Sequence, residues 1–238
     1  MSAHPAPTDR PARTRLSTTV LLHLLPGWVA GAIYLPLGAA LHRAGLPPVW
    51  GLLLVTVAVL LPLELALLWR AGALPSLRRP RADARLLGAA GLTLLASAVL
   101  PGLAVPLEGV TRPLLPLLPG WVLDPAQGLA ALPESLRALT LAAWLVVFGF
   151  AGPTVEEAYF RGWLLGRLSP LGRAAAPVNA LLFALYHLWQ PQHVLRVALT
   201  ALPLAVARLR TGRLLPGVIA HVTVNVVAWG LLALSLAR

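Results

Sequence analysis

Two adjacent glutamates are the most distinctive chemical feature of this 238-residue chain, which contains only eight acidic residues. Glu156 and Glu157 are followed by Arg161 four residues after the second glutamate. On a helix, Glu157 and Arg161 share a face and can form an ion pair, whereas Glu156 is rotated by about 100° and can point elsewhere. This spacing favours one structural acid and one acid that is free to act in a cavity. The simpler alternative is that both acids cap the start of a helix at a membrane interface.

Two histidines and an asparagine add polar groups to apolar segments farther along the chain. His187 follows Phe183 by four residues, and His221 precedes Asn225 by four residues. Each pair therefore shares one face of a helix. Ionisable and polar groups inside apolar segments need partners, which makes them candidates for function. Each pattern taken alone also fits a structural histidine or a hydrogen bond between helices.

A glutamate, two histidines and an asparagine can together bind and activate a water molecule. Glu156 can act as general base, and the histidines can bind zinc or donate hydrogen bonds to an oxyanion. Glu156, His187 and His221 are therefore candidate ligands for zinc or another divalent metal, and a site without any cofactor is equally open. The sequence contains no His-Glu-x-x-His, no Gly-x-Ser-x-Gly and no cysteine. These absences exclude the familiar zinc-protease helix, the serine nucleophile elbow and thiol chemistry.

The composition indicates that a lipid bilayer surrounds the elements that position these residues. The chain is 58% hydrophobic and 11% charged, whereas a soluble domain has about 25% charged residues. Apolar runs of the length that crosses a bilayer recur along the sequence. We therefore predict an all-α, polytopic transmembrane bundle with about seven spans, within a range of six to eight. The predicted spans are residues 18–41, 48–69, 86–106, 136–168, 174–189, 194–209 and 214–236.

Two of the predicted spans raise questions of geometry. The fourth is too long for one perpendicular crossing, and Gly152 and Pro153 predict a break, after which Thr154 caps a second helix that carries the glutamates. Counted from the cytoplasmic ends, His221 lies ~10 Å and His187 ~20 Å into their spans at 1.5 Å per residue. The two histidines can therefore be level only if the fifth helix tilts, starts late or is preceded by a re-entrant piece.

The positive charge fits a membrane topology rather than nucleic-acid binding. The net charge is +11, and every basic residue apart from histidine is an arginine. The arginines lie mostly between apolar runs and alternate between rich and poor connections, which predicts a cytoplasmic N-terminus and no nucleic-acid partner. We predict a disordered basic tail over residues 1–15 and one membrane domain over 16–238. Within it, residues 16–135 form scaffold helices and a long loop, and residues 136–238 carry the motifs.

The three motifs resemble those of the CPBP family, the bacterial intramembrane proteases related to the CAAX prenyl endopeptidase known as the Ras-converting enzyme. Glu156-Glu157-x-x-x-Arg161, Phe183-x-x-x-His187 and His221-x-x-x-Asn225 occur in the family's order, and the resemblance covers about residues 149–227. It implies that Glu156 activates water, that Glu157 supports it through Arg161, and that His187 and His221 complete the site. It further implies that Asn225 stabilises the oxyanion and that Phe183 lines the substrate site.

The sequence thus predicts an intramembrane endopeptidase, of glutamate or metal type, in a bacterial inner membrane. Its expected partners are the lipid bilayer and a peptide or membrane-protein substrate. The alternative is a membrane protein without enzymatic activity, such as a transporter, a scaffold or an immunity factor against a peptide toxin. Convergence of the polar residues on one water position favours the enzyme, and their distribution along a pore favours the transporter. Glu64, in the second span, could face the cavity, but an interfacial or paired acid is the expectation, because Pro62 and Arg70 are near.

Overall fold

The computed structural model describes residues 10–74, 83–106 and 112–237, and this part of the chain contains helices and no strand. The prediction of an all-α fold is confirmed. Five helices are long and apolar enough to cross a membrane, two smaller helices lie in the second half, and short helical turns occupy the connections. The main helices are α1 (Arg10–Arg43), α2 (Val49–Arg70), α3 (Ala84–Ala104), α4 (Glu134–Arg167), α5 (Ala175–Tyr186), α6 (Val194–Thr211) and α7 (Leu215–Leu236).

Each of the seven predicted spans overlaps one of these helices, but α5 and α6 differ from the other five. Helix α5 has 12 residues, which is ~18 Å at 1.5 Å per residue and falls short of the ~30 Å hydrocarbon core. Helix α6 carries three arginines, Arg196, Arg208 and Arg210. Seven crossings therefore stay a prediction. Helix α1 begins at Arg10, and residues 1–9 of the predicted tail lie outside the described residues.

The predicted break at Gly152 and Pro153 is wrong, because α4 continues through both residues with helical backbone angles. A π-helical segment, Leu145–Ala151, comes directly before the proline. The wider turn accommodates the proline ring, which would clash with a carbonyl in a regular α-helix. The Thr154 hydroxyl donates to the Phe150 carbonyl oxygen at 2.7 Å instead of capping a new helix. The glutamate pair thus lies inside a long continuous helix rather than in a first turn.

The amide of Asn179, in α5, joins three helices in the bundle interior. Its Nδ2 donates to the Nε2 of His23 in α1 at 3.1 Å and to the Phe160 carbonyl oxygen in α4 at 3.2 Å. The Nδ1 of His23 in turn donates to the Thr19 carbonyl oxygen at 2.7 Å. Both side chains are fully buried. This network fastens α1 to the helices that carry the motif residues.

The described part of the long connection between α3 and α4, residues 112–133, packs onto the bundle. Trp121 is buried and packs edge-on against Tyr34 of α1, with the ring centroids 5.9 Å apart. Gly38 makes this approach possible, since a Cβ atom there would lie 2.7 Å from the Trp121 ring. The side-chain amide of Gln192 donates to the Leu123 carbonyl oxygen at 3.1 Å. The connection therefore contributes to the interior of the molecule.

We predict that Asn179→Leu destabilises the bundle by about 1–3 kcal/mol, because it leaves buried partners of the amide without a donor. Thermal or denaturant unfolding of the protein in detergent micelles measures this loss. Thr93→Val is the matched control, because the Thr93 hydroxyl donates only to a carbonyl of its own helix, Ala89, at 2.6 Å. Equal stability of the Asn179→Leu protein and the wild type would contradict the role of the network.

Candidate active site

The carboxylate of Glu156 lies between two imidazole rings from two other segments. Its Oε1 is 3.7 Å from the Nε2 of His187, just after α5, and its Oε2 is 3.8 Å from the Nε2 of His221 in α7. These separations are too long for direct hydrogen bonds, but one water molecule can contact groups at this spacing. The two histidines therefore meet in the structure. Helix α5 starts at Ala175, one residue after the start of the predicted span, and ends one residue before His187.

The second ring nitrogen of each histidine has a partner that determines the proton position on the ring. The Nδ1 of His187 lies 2.9 Å from the Phe183 carbonyl oxygen, which can only accept, so this nitrogen carries the hydrogen. The Nδ1 of His221 lies 3.1 Å from the Oε1 of Glu157, which as a carboxylate also accepts. In the neutral form of both histidines, the unprotonated Nε2 therefore faces Glu156.

The ion pair that the spacing predicts between Glu157 and Arg161 is present in the bundle interior. The guanidinium NH1 lies 3.1 Å from the Oε1 of Glu157, and both side chains are at most 1% exposed. Another guanidinium nitrogen, NH2, donates to the Ala201 carbonyl oxygen of α6 at 3.4 Å. The guanidinium also lies 4.3 Å from the centroid of the Phe183 ring, within the range of a cation–π interaction. Phe183 thus contacts the charged pair that lies behind the site.

Gly217, at the start of α7, gives the Glu157 carboxylate room to approach that helix. A Cβ atom at this position would lie 2.7 Å from the Oε2 of Glu157, closer than real contacts of this kind. The same carboxylate contacts His221 one turn later in α7. The absence of a side chain at Gly217 is therefore a requirement for the observed position of Glu157.

The amide of Asn225 is held by a backbone group that Pro153 leaves without a donor. Before the proline, the N–H groups of α4 donate to the carbonyl five residues earlier, as the Gly152 N–H does to the Val147 carbonyl. The next donor in this register would be residue 153, which has no N–H, so the Phe148 carbonyl is free. The Nδ2 of Asn225 donates to this carbonyl at 2.9 Å. The motif asparagine in α7 is thus positioned by the proline of α4.

These residues border one cavity of about 500 Å³. Five of the seven predicted site residues line it, and Glu157 and Arg161 lie directly behind them. Away from these residues, the cavity walls are apolar on the side of α4 and α7 and carry polar groups between the end of α5 and the start of α6. The apolar side includes Trp144, Phe148, Trp229 and Leu232. The polar side includes Gln190, Gln192, His193 and Arg196. The connection before α4 contributes Asp124.

The predicted metal ligands do not fit a three-ligand metal site. Glu156 directs its Oε1 to the Nε2 of His187 and its Oε2 to the Nε2 of His221. Within the described residues, no group of three or more histidine, aspartate or glutamate side chains could hold a metal ion. A catalytic zinc site needs three such ligands and an open position.

Three residues near the site were not predicted to belong to it. Gly217 and Tyr186 have no distinctive sequence signal, because one is defined by an absent side chain and the other is an aromatic residue at a helix end. Glu64 is paired as expected, but its partner is the hydroxyl of Tyr186 at 2.8 Å, and its side chain is fully buried. The rule that an acid inside an apolar span marks function would have selected it.

Comparison with known protein families gives a match to the same part of the chain. Residues 138–227 match the family model described as Rce1-like: Type II CAAX prenyl endopeptidase Rce1-like. This segment is similar to the Rce1-like domain of the CPBP family. No curated protein and no solved structure gave a significant match. The Rce1-like domain indicates a protease, and together with the five apolar helices it indicates an integral membrane protein.

We predict that Gly217→Ala lowers peptide cleavage by the Rce1-like domain by about a hundredfold, because the new methyl group displaces Glu157 from Arg161 and His221. Cleavage rates of the purified variant measure this loss. Gly230→Ala on the same helix is the matched control, since a Cβ atom there meets nothing within 4 Å. If both alanine variants cleave as fast as the wild type, the Gly217 contact is unimportant.

Proposed function

We propose that the protein is an intramembrane endopeptidase in which Glu156 activates a water molecule for attack on a peptide bond. The observation that carries this proposal is the convergence of Glu156, His187 and His221 on one side of a single cavity. Residues distributed along a pore would have favoured a transporter. The family match supports the same reaction class.

In the first step, Glu156 accepts a proton from the water molecule, and the water oxygen forms a bond to the carbonyl carbon of the substrate. The electron pair of the carbonyl bond moves to its oxygen, which becomes an oxyanion. The Nε2 of His187 accepts the second hydrogen of the water and thereby orients it, because its Nδ1 hydrogen is committed to the Phe183 carbonyl. General-base assistance of this type contributes about 10²–10⁴-fold in rate.

His221 and Asn225 stabilise the oxyanion in this mechanism. A protonated His221 donates from its Nε2, and the Glu157 carboxylate at 3.1 Å from its Nδ1 stabilises the positive ring. Asn225 has two amide hydrogens, of which the Phe148 carbonyl takes one, so the second can point into the cavity. Hydrogen bonds aimed at a developing oxyanion commonly contribute about 3–4 kcal/mol each to catalysis.

In the second step, the tetrahedral intermediate collapses and the bond between carbon and nitrogen breaks. The proton on Glu156 moves to the departing nitrogen, so the products are a carboxylic acid and an amine, and Glu156 returns to its starting form. Glu157 and Arg161 do not contact the reacting atoms. They act as positioning residues, since Arg161 fixes Glu157 and Glu157 fixes His221.

The substrate class that we propose is a peptide or membrane protein that reaches the cavity from the bilayer. The apolar wall formed by Trp144, Phe148 and Trp229 suits an apolar substrate segment. The family description names CAAX prenyl endopeptidases, so a fluorogenic peptide with a farnesylated CAAX end and the same peptide without the lipid form a suitable probe pair. We further propose a bacterial inner-membrane location with the N-terminus in the cytoplasm.

We predict that Glu156→Ala, His187→Ala and His221→Ala each abolish cleavage of both probe peptides while the protein stays folded. Removal of a general base or an oxyanion donor accounts for losses of about a hundredfold or more. Glu134→Ala and His42→Ala, which remove exposed residues of the same types, are matched controls and should cleave at the wild-type rate. Full activity of the Glu156→Ala protein would refute the mechanism.

We predict that cleavage continues after metal removal, because Glu156, His187 and His221 do not form a three-ligand set. The measurement is the cleavage rate of protein purified with a strong chelator, combined with elemental analysis of the same sample. Addition of zinc to the chelated protein is the control for loss of a bound ion. Inactivation by the chelator and recovery with stoichiometric zinc would overturn the metal-free mechanism.

A further inference from the structure

A third acid lies close to the proposed active site but comes from the first half of the chain. Glu64, in α2, is 0% exposed and precedes the segment that matches the family model. The part of α2 that carries it packs against the turn of α4 that carries Glu156. The Oε2 of Glu64 has no hydrogen-bond partner among the described residues. An acid buried in this way costs several kcal/mol, so its presence inside the bundle calls for a functional explanation.

The partner of Glu64 is the residue directly before His187. The hydroxyl of Tyr186 donates to the Oε1 of Glu64 at 2.8 Å, and Tyr186 is fully buried. The Tyr186 ring packs edge-on against the His187 ring with centroids 4.8 Å apart, and against Phe160 at 4.9 Å. The hydrogen bond therefore fixes an aromatic ring that touches a proposed catalytic histidine.

We propose that Glu64 is a positioning residue for His187 and that it acts through its hydrogen bond with Tyr186. This inference rests on the proposed function, in which His187 orients the attacking water. Tyr186 is the last residue of α5, and His187 has backbone angles of φ −86° and ψ 35°, which lie outside the helix. A residue just beyond a helix end lacks the following turn that would hold it, so its position depends on contacts with other elements.

Helix α1 also contacts the C-terminal end of α5. The indole Nε1 of Trp28 donates to the Leu185 carbonyl oxygen at 3.1 Å. Gly27 lies so close to Tyr186 that an added Cβ atom would collide with its backbone and ring. These contacts fix the backbone of Leu185 and Tyr186, and the bond to Glu64 fixes the far end of the Tyr186 side chain. Together these contacts fix the turn that precedes His187.

A carboxyl group suits this role because it accepts a strong hydrogen bond from a phenol. Shape alone could be supplied by an apolar residue without the cost of burying an acid. The role needs an acceptor at Oε1 and not a charge, so glutamine, which has the same shape and one acceptor oxygen, can replace glutamate. If Glu64 acts as a hydrogen-bond acceptor, glutamine preserves its role and leucine does not, whereas a residue that only fills space needs no acceptor.

We predict that Tyr186→Phe and Glu64→Leu each lower kcat for the probe peptides by about tenfold, with KM changed by less than about twofold, because misplacement of a catalytic group slows only the chemical step. Glu64→Gln should recover all but about twofold of the kcat lost in Glu64→Leu, since it keeps the acceptor. The double variant Glu64→Leu/Tyr186→Phe should be no slower than the slower single variant, because both remove one interaction.

Tyr34→Phe is the matched control, since it removes a buried tyrosine hydroxyl that has no hydrogen-bond partner among the described residues. It should leave kcat unchanged. If the Glu64→Leu protein does not fold, the kcat of the Tyr186→Phe protein tests the proposal by itself, because this variant removes a single oxygen atom. Wild-type kcat in Tyr186→Phe, or a Glu64→Gln protein as slow as Glu64→Leu, would overturn the proposal. Glu156→Ala in the same assay separates the two hypotheses, since its retained activity would refute the proposed function itself.

Discussion

Charged side chains inside a membrane bundle must find their partners within the protein, because lipid supplies no hydrogen bonds. The Glu157–Arg161 pair meets this constraint, and through it the pair joins three helices. Arg161 donates to α6, while Glu157 contacts His221 and the surface of α7 at Gly217. A buried pair of this kind adds little net stability. Its effect is on geometry, since a carboxylate shared by Arg161 and His221 leaves the histidine only one suitable orientation.

Two helices carry the same irregularity directly before an acid of the site. In α4, the π-helical segment Leu145–Ala151 precedes Pro153 and then Glu156, and in α2 the π-helical segment Thr56–Leu60 precedes Pro62 and then Glu64. The extra residue in a π turn rotates all later side chains about the helix axis. It also frees a carbonyl that a side chain from another helix can use, as Asn225 does at Phe148. The prolines thus redirect the acids inward without ending the helices.

The sequence was sufficient for the features that depend on composition and on spacing within one helix. The apolar runs predicted the five long helices, and the spacing of four predicted the Glu157–Arg161 pair. The break at Pro153 was mispredicted because a proline rule based on regular α-helices ignores the π turn that accommodates the ring. Counting residues along the spans did not show that His187 and His221 both reach Glu156, because such a count takes no account of how α5 and α7 pack. Contacts such as Gly217 with Glu157 depend on how helices pack, which no local pattern encodes.

The first half of the chain is therefore more than a frame around the motif helices. His187 has no regular helix beyond it, and the contacts on its preceding turn include Gly27, Trp28 and Glu64, which lie outside the matched segment. The long connection before α4 contributes Asp124 to the cavity wall as well. Motifs on late helices can supply the reacting groups, but a catalytic geometry that tolerates errors of only about 0.5 Å needs rigid support on every side. In this protein, that support comes from helices whose sequences carry no motif of their own.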